Sequence, residues 1–258
     1  MYHAQKVQAE NKPNLLVRFI RHMKFHQPEL GFYRSVRLAA AFTFGEIRDR
    51  FIPRWIDYRQ ERLDFDKKYN VDTAERLHVS EMSPAEVEKR HAIRYEPSES
   101  QTLLDALKMV PINPAEYTFI DIGAGKGKVL FVASSFAFKR IIGVEYDTYL
   151  AKVIKRNITS YRNPQRQCDT IEAHNINALE FKLPAGPVIL FMYFPFRAPL
   201  LAEVFKNFGG RLNDCLLIWV TLENAEEAVI NSFSELSLFE KSGEISIYRG
   251  SNIIIPSE

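Results

Sequence analysis

The stretch FIDIGAGKGKV, residues 119–129, constrains the chain more than any other. Apolar residues surround Asp121, and Gly123, Gly125 and Gly127 then alternate with Ala124 and Lys126. A buried strand that ends beside an acid, turns through backbone without Cβ atoms and continues as a helix leaves room for a ligand against the main chain. That room lies at the carboxyl edge of a parallel sheet.

The pattern from Tyr95 onward supplies such a sheet. Ser98 or Ser100 can cap a helix carrying Leu103, Leu104, Leu107 and Val110. Strands are expected over 117–122, over RIIGVE ending at Glu145, over 170–173, and over the apolar runs VILFMY (188–193) and CLLIWVTL (215–222). Unbroken apolar runs of this length suit strands covered on both faces. Helices are expected over 126–138, from Asp147, over 200–208 and over 223–233. LSLFEKS and EISIYRG, joined at Gly243, read as an antiparallel hairpin at the sheet edge. The fold class expected is therefore α/β: a Rossmann-like, seven-stranded, mostly parallel sheet over 95–258, preceded by a helical extension and connector over 1–94.

That extension is basic. Residues 1–60 hold eleven Lys and Arg against five Asp and Glu, while the whole chain carries only +2. Phe32, Val36, Ala40, Phe44, Ile47 and Phe51 recur at helical spacing with Arg34, Arg37 and Arg48 off the line, and Pro53 ends or kinks the run. Two readings stand: an arm packing its apolar stripe on the main domain, or a contact surface for a membrane face or anionic substrate. Residues 57–90, dense in charge and poor in large apolar residues, read as an extended connection. No apolar run approaches the ~20 residues of a membrane span, and the first residues show no secretory leader. Cys168 and Cys215 form no CxxC pair. The expectation is a cytoplasmic protein with no integral membrane segment, disulfide or metal site.

The glycine spacing discriminates among nucleoside ligands. A dinucleotide turn reads GxGxxG, and here Lys128 stands where its third glycine belongs. Asp121 is ill suited to a pyrophosphate and well suited to a ligand bearing an ammonium. Glu145, eighteen residues past Gly127 at the end of the next strand, can accept both hydroxyls of a ribose. S-adenosylmethionine, cationic and free of phosphate, meets all three conditions.

At these residues the chain resembles the class I S-adenosylmethionine-dependent methyltransferases, from about Tyr95 to Gly250. RYEPSES, GVEYD, FPF and the upstream FDKKYNVDT (65–73) look like a loosely characterised bacterial branch. A fainter similarity, through the GxGxG turn, the GVE strand end and residues 193–196, is to the non-SET histone lysine methyltransferases. The resemblance implies that Asp121, Gly123, Ala124, Gly125 and Gly127 hold the methionine and ribose, with Glu145 and Tyr146 at the ribose. Asn177 and Ala178 would meet the adenine, although relatives commonly carry Asp there. Tyr95 and Glu96 would fold over the methionine end. Tyr193 would line the cofactor and is the catalytic candidate, and Phe194, Pro195 and Phe196 would form the substrate slot; the plainer alternative is that some of these aromatics are core. Phe194 stands before Pro195 where relatives that methylate amide or exocyclic nitrogens have Asn or Asp, which argues against a nucleic-acid acceptor. Lys126 and Lys128 read as solvated, and His174 as surface or structural. The activity implied is methyl transfer from S-adenosylmethionine to an unidentified acceptor, a protein side chain or small molecule. A cofactor-binding protein with little turnover and a nicotinamide-dependent oxidoreductase are the alternatives.

Overall fold

The apolar runs pair into one sheet. Its strands are β1 (Thr118–Ile122), β2 (Arg140–Glu145), β3 (Ile171–Asn175), β4 (Val188–Tyr193), β5 (Cys215–Val220), β6 (Leu236–Ser242) and β7 (Ile245–Gly250), in the order β3-β2-β1-β4-β5-β7-β6. β1 to β5 run parallel, and β7 lies antiparallel between β5 and the edge strand β6. This is the Rossmann-like arrangement expected, hairpin included. β1 and β5 are buried along their whole length, as continuous apolar strands require. The order of strands reverses at β1, which has β2 on one side and β4 on the other. Asp121 near the end of β1 is level with Gly143 of β2 and Phe191 of β4. Parallel sheets open a ligand crevice at such a reversal.

This computed structural model describes residues 14–77 and 95–255, apart from the side chains of 29, 46, 48–50, 54 and 55. The expectations for a leader at the start, for the basic residues before 14 and for the connection beyond 77 lie outside the described residues. The chain divides into two compact units, Met1–Phe65 and Asp66–Glu258.

In the second unit, α3 (Ser100–Lys108), α4 (Lys128–Ala133), α5 (Thr148–Ser160), α6 (Ala198–Phe208) and α7 (Asn224–Asn231) link or flank the strands. Two details differ from expectation. Glu99, not a serine, occupies the N-cap of α3, and it makes no side-chain capping bond. α4 is about half the length read from 126–138. Gly127, left-handed at φ 89°, delays its start. Its end comes at Ser134, whose carbonyl accepts the Gln167 and Cys168 amides at 2.8 and 3.2 Å, so the loop after α5 takes the place of a further turn. Gly143 matters for packing: a Cβ there would lie 2.7 Å from Leu130, so a bare position in β2 admits α4. Phe119 sits fully buried between the Phe138 and Phe191 rings, at centroid distances of 5.2 and 6.1 Å. Cys168 and Cys215 are free and buried, and burial pushes the Cys215 thiol up to about 12.

In the first unit, Gly31 (φ 74°, ψ 168°) breaks α1 (Leu15–Phe51) into two helical stretches. His22 stacks on Phe42 at 5.1 Å and the Arg18 guanidinium lies 5.0 Å from the same ring, so the stretches run side by side. That contact selects the face through Ser35, Ala39 and Phe42. The stripe read from the sequence is a different face, and Phe32, Phe44, Ile47 and Phe51 are exposed on it. The extended connection is also corrected, because α2 (Pro53–Tyr69) covers its first part. Long charged side chains are good helix formers, and the Gln60 amide bonds the Asp64 carboxylate one turn on, at 2.9 Å. Among the described residues no helix is long and apolar enough to cross a membrane.

Phe119→Ala should lower the stability of the sheet unit by about 3–5 kcal/mol, the range for truncating a buried Phe. A urea midpoint equal to that of the wild type would contradict this placement of the core.

Candidate functional site

The carboxyl ends of β1, β2 and β4 and the turns that follow them enclose a cavity of about 650 Å³. Every residue assigned to the site from the sequence lines it except Gly127, the N-cap of α4. These residues run from Tyr95 to Phe196 in the sequence, and only the fold makes them neighbours.

The floor is main chain. The Gly123 and Ala124 amides donate to the Val144 carbonyl at 2.9 and 3.1 Å, which ties the turn to β2. A Cβ on Gly123 would lie 2.9 Å from that of Pro195, and one on Gly125 (φ 57°) would overlap the Tyr95 ring. Both glycines, at φ 83° and 57°, are thus required by close approach of a neighbour and by a backbone conformation that L side chains rarely adopt. The Gly125 amide donates to one oxygen of Glu145 and the Asp147 amide to the other, both at 2.8 Å. Asp147 in turn caps α5, accepting the Leu150 amide at 2.8 Å. Glu145 is therefore gripped from behind, and each oxygen keeps acceptor capacity toward the cavity.

Two acids face the same space under heavy burial, with Asp121 4% exposed and Glu145 6%. Burial, with repulsion from Glu145, pushes the Asp121 carboxyl up to about 8. Burial also raises Glu145, to about 7, against the lowering effect of its bonds from the Asp147 and Gly125 amides. Among the described residues no hydrogen-bond donor reaches the Asp121 carboxylate, which feels burial and the neighbouring Glu145. A buried acid without a donor is stabilised by a cation or donor from outside the protein.

At the other end stand Tyr193, Phe194, Pro195 and Phe196. Tyr193 is 37% exposed, and burial of its ring and nearby carboxylates, Glu244 first, hold its hydroxyl above its ordinary value. Phe196 is buried, lines the cavity and also belongs to the core cluster that includes α6 residues. Phe194 has a positive φ of 45°, with the Arg197 guanidinium 4.8 Å from its ring, and Arg197 pairs with Glu223 at 3.1 Å. Thr221, after β5, also lines the cavity with φ 60°. Left-handed backbone at a bulky or β-branched residue is costly and concentrates at functional sites. Sequence reading did not single out Thr221, since only its place at the end of an apolar run marks it.

Two lysines correct the sequence reading. Lys126 and Lys128, read as solvated, are 2% and 3% exposed. For Lys126 the reason lies in residues 66–77, whose Asp72 reaches the glycine turn. Lys126 pairs with Asp72 at 3.0 Å and approaches the Tyr95 ring at 5.8 Å, and Lys128 lines the cavity. Asn177 lines it too, with its side-chain oxygen accepting the Leu179 amide at 3.0 Å. His174 lies outside the cavity and meets Glu172 at 3.2 Å.

No protein-family model and no curated protein matches the sequence. Among solved structures, the chain is similar to an RNA methyltransferase from Salinibacter ruber in complex with S-adenosyl-L-homocysteine, at 12% identity and TM-score 0.45 over 63% of this chain and 98% of that one. It is similar at 12% identity and TM-score 0.42 to a ribosomal protein L11 methylase from Lactobacillus delbrueckii subsp. bulgaricus, over 58% and 78% of the two chains. A third such structure is TrmN from Thermus thermophilus, at 13% identity and TM-score 0.42 over 57% and 47%.

The buried acids set a pH dependence. Their folded values, about 8 and 7, exceed the ordinary 3.8 and 4.5, so the folded state holds more protons between those limits. Their contribution to stability is complete below about pH 4 and is lost as pH rises through 7 and 8. Asp121→Asn should therefore raise the melting temperature of the ligand-free protein at pH 8 and change it little at pH 5. An equal effect at both pH values would show that Asp121 is not the strained group.

Proposed function

We propose that the cavity binds S-adenosylmethionine and that the protein transfers its methyl group to a protein side chain or a small molecule. The observation that carries this reading is the pair of buried acids on either side of bare backbone. A ligand with an ammonium and no phosphate relieves both of them, whereas a pyrophosphate would meet two carboxylates at close range. The same observation weighs against the nicotinamide alternative.

In this reading the glycine turn and Asp121 take the methionine end, with Tyr95 and Glu96 beside it. Glu145, its oxygens already oriented, accepts the ribose hydroxyls beside Tyr146. Asn177 and Ala178 border the adenine, and the second lone pair of the Asn177 oxygen can accept from the base. The bound cofactor supplies an electrophilic methyl carbon: the acceptor's lone pair forms the new bond as the carbon–sulfur bond breaks and its electrons stay on sulfur. Alignment and exclusion of water do most of the work in such a displacement. Tyr193, Phe194 and Phe196 shape a slot that disfavours a charged amine, so an amine acceptor is delivered with its lone pair available. Tyr193, held protonated, orients the acceptor through its hydroxyl and does not act as a base. A nucleic-acid acceptor is disfavoured because Phe194 offers no side-chain oxygen to an exocyclic amine. Glu96 and Glu203 on the wall would also repel phosphates.

The basic first unit fits an anionic surface. Arg21, Lys24, Arg34 and Arg37 share its helices with exposed Phe32, Phe44 and Phe51, a combination suited to lipid headgroups.

Glu145→Ala should weaken S-adenosylhomocysteine binding at least about tenfold, in keeping with ~1.5–3 kcal/mol for hydrogen bonds to a charged group. Calorimetry showing unchanged affinity, or displacement of S-adenosylhomocysteine by NADH, would remove the proposal. Reversing the charge of Arg21, Lys24, Arg34 and Arg37 should reduce sedimentation with anionic vesicles and leave cofactor affinity intact. Equal sedimentation of both proteins would sink the surface role.

A further inference from the structure

The segment FDKKYNVDT has no place in the chemistry above, yet it supplies the densest polar network of the sheet unit. Asp66 at the end of α2 folds the chain back on itself: its carboxylate accepts the Thr73 and Ala74 amides at 2.8 Å and the Thr73 hydroxyl at 2.6 Å. The turn thus formed presents Asp72 to two other elements. One Asp72 oxygen pairs with Lys126 of the glycine turn at 3.0 Å, and the other accepts from Arg156 of α5 at 2.8 Å. The Asn157 side chain completes the join. Its oxygen accepts the Asp72 amide at 2.9 Å, and its nitrogen donates to the carbonyls of Asp72 and Lys126 at 3.0 and 2.9 Å. Asn157 is 1% exposed, so these bonds are made away from water.

The same segment seats the wall of the cavity. The Tyr95 hydroxyl donates to the Thr73 carbonyl at 2.8 Å, and the Leu77 amide donates to the Tyr95 carbonyl at 3.1 Å. Arg76 pairs with Glu96 at 2.5 Å. With its hydroxyl anchored and Leu77 and Leu150 packed with it, the Tyr95 ring lies against Gly125.

We propose that Asp72 is a positioning residue that sets affinity at the methionine end of the cavity. It acts through Lys126 and Asn157 to hold the turn 66–77, and through Thr73 to hold Tyr95 against the glycine turn. This rests on the reading that the cavity takes S-adenosylmethionine. Asp72 itself touches no part of the cavity. Without its charge, the buried Lys126 ammonium loses its partner, and the join between the glycine turn and α5 loosens. Tyr95 then rises from Gly125, and the ligand must meet the cost of reseating it.

The test measures S-adenosylhomocysteine affinity by calorimetry, and melting temperature without ligand, for the full chain. Asp72→Asn should raise Kd tenfold or more, and Tyr95→Phe, which removes only the anchoring hydroxyl, about threefold. The double variant should bind less weakly than the product of the two, because both act on the same ring. Asp72→Asn combined with Lys126→Met removes the orphaned charge and should recover melting temperature but not affinity. Loss of melting temperature with unchanged Kd, or recovery of affinity in that last variant, would reduce Asp72 to a structural ion pair and overturn the proposal. A wild-type chain that binds no S-adenosylhomocysteine would overturn it together with the reading of the cavity, and is distinguished by failing before any substitution is made.

Discussion

Glu145 is the joint on which the second unit depends. Its carboxylate receives the Gly125 amide from the turn after β1 and the Asp147 amide from the start of α5, so a single side chain at the end of β2 fixes both walls of the crevice. The bonds are charge-assisted and sheltered from water, where they are at their strongest. They also explain why the carboxylate stays oriented toward the cavity while buried. An acid free to rotate would turn to water, and this one cannot.

The site is assembled at a cost in stability. Asp121 is buried without a donor, Phe194 and Thr221 hold left-handed backbone, and Lys126 is desolvated against Asp72. Each would be relieved by an ordinary substitution. The sheet tolerates them because β1, β4 and β5 bury almost continuous apolar surface beneath them. A rigid hydrophobic slab thus supports a strained and charged rim, a division of labour common where ligand binding must repay local instability.

Residues 66–77 change how the two ends of the cavity relate. The end at Tyr193 to Phe196 is built from strand ends and from turns that immediately follow them, β4 into α6 and β5 into α7. The end at the glycine turn is built from a strand end plus a segment that arrives from outside the sheet and locks by bonds to the carboxylates of Asp66 and Asp72. The first kind of wall follows from sheet topology, and the second from polar chemistry on an added turn.

The strands, their burial and the glycine turn are legible because they rest on local signals. Apolar runs of strand length and glycines between a strand and a helix leave few other conformations open. Fourteen of the fifteen residues singled out for the site line the cavity for the same reason, since strand ends in a parallel sheet converge. The charged stretches were misread because charge alone does not say whether a partner exists. Lys126 looks solvated until Asp72 pairs with it, and residues 57–69 look extended until their long side chains are counted as helix formers. The stripe on α1 was drawn on the wrong face because helical periodicity offers several faces, and only contact with Phe42 chooses among them. The sequence alone determined the sheet and the acids at its edge, because backbone and burial preferences act between near neighbours. Which charges lie buried and which face is covered was decided only in the tertiary structure, because those depend on groups brought from 54 or 84 positions away.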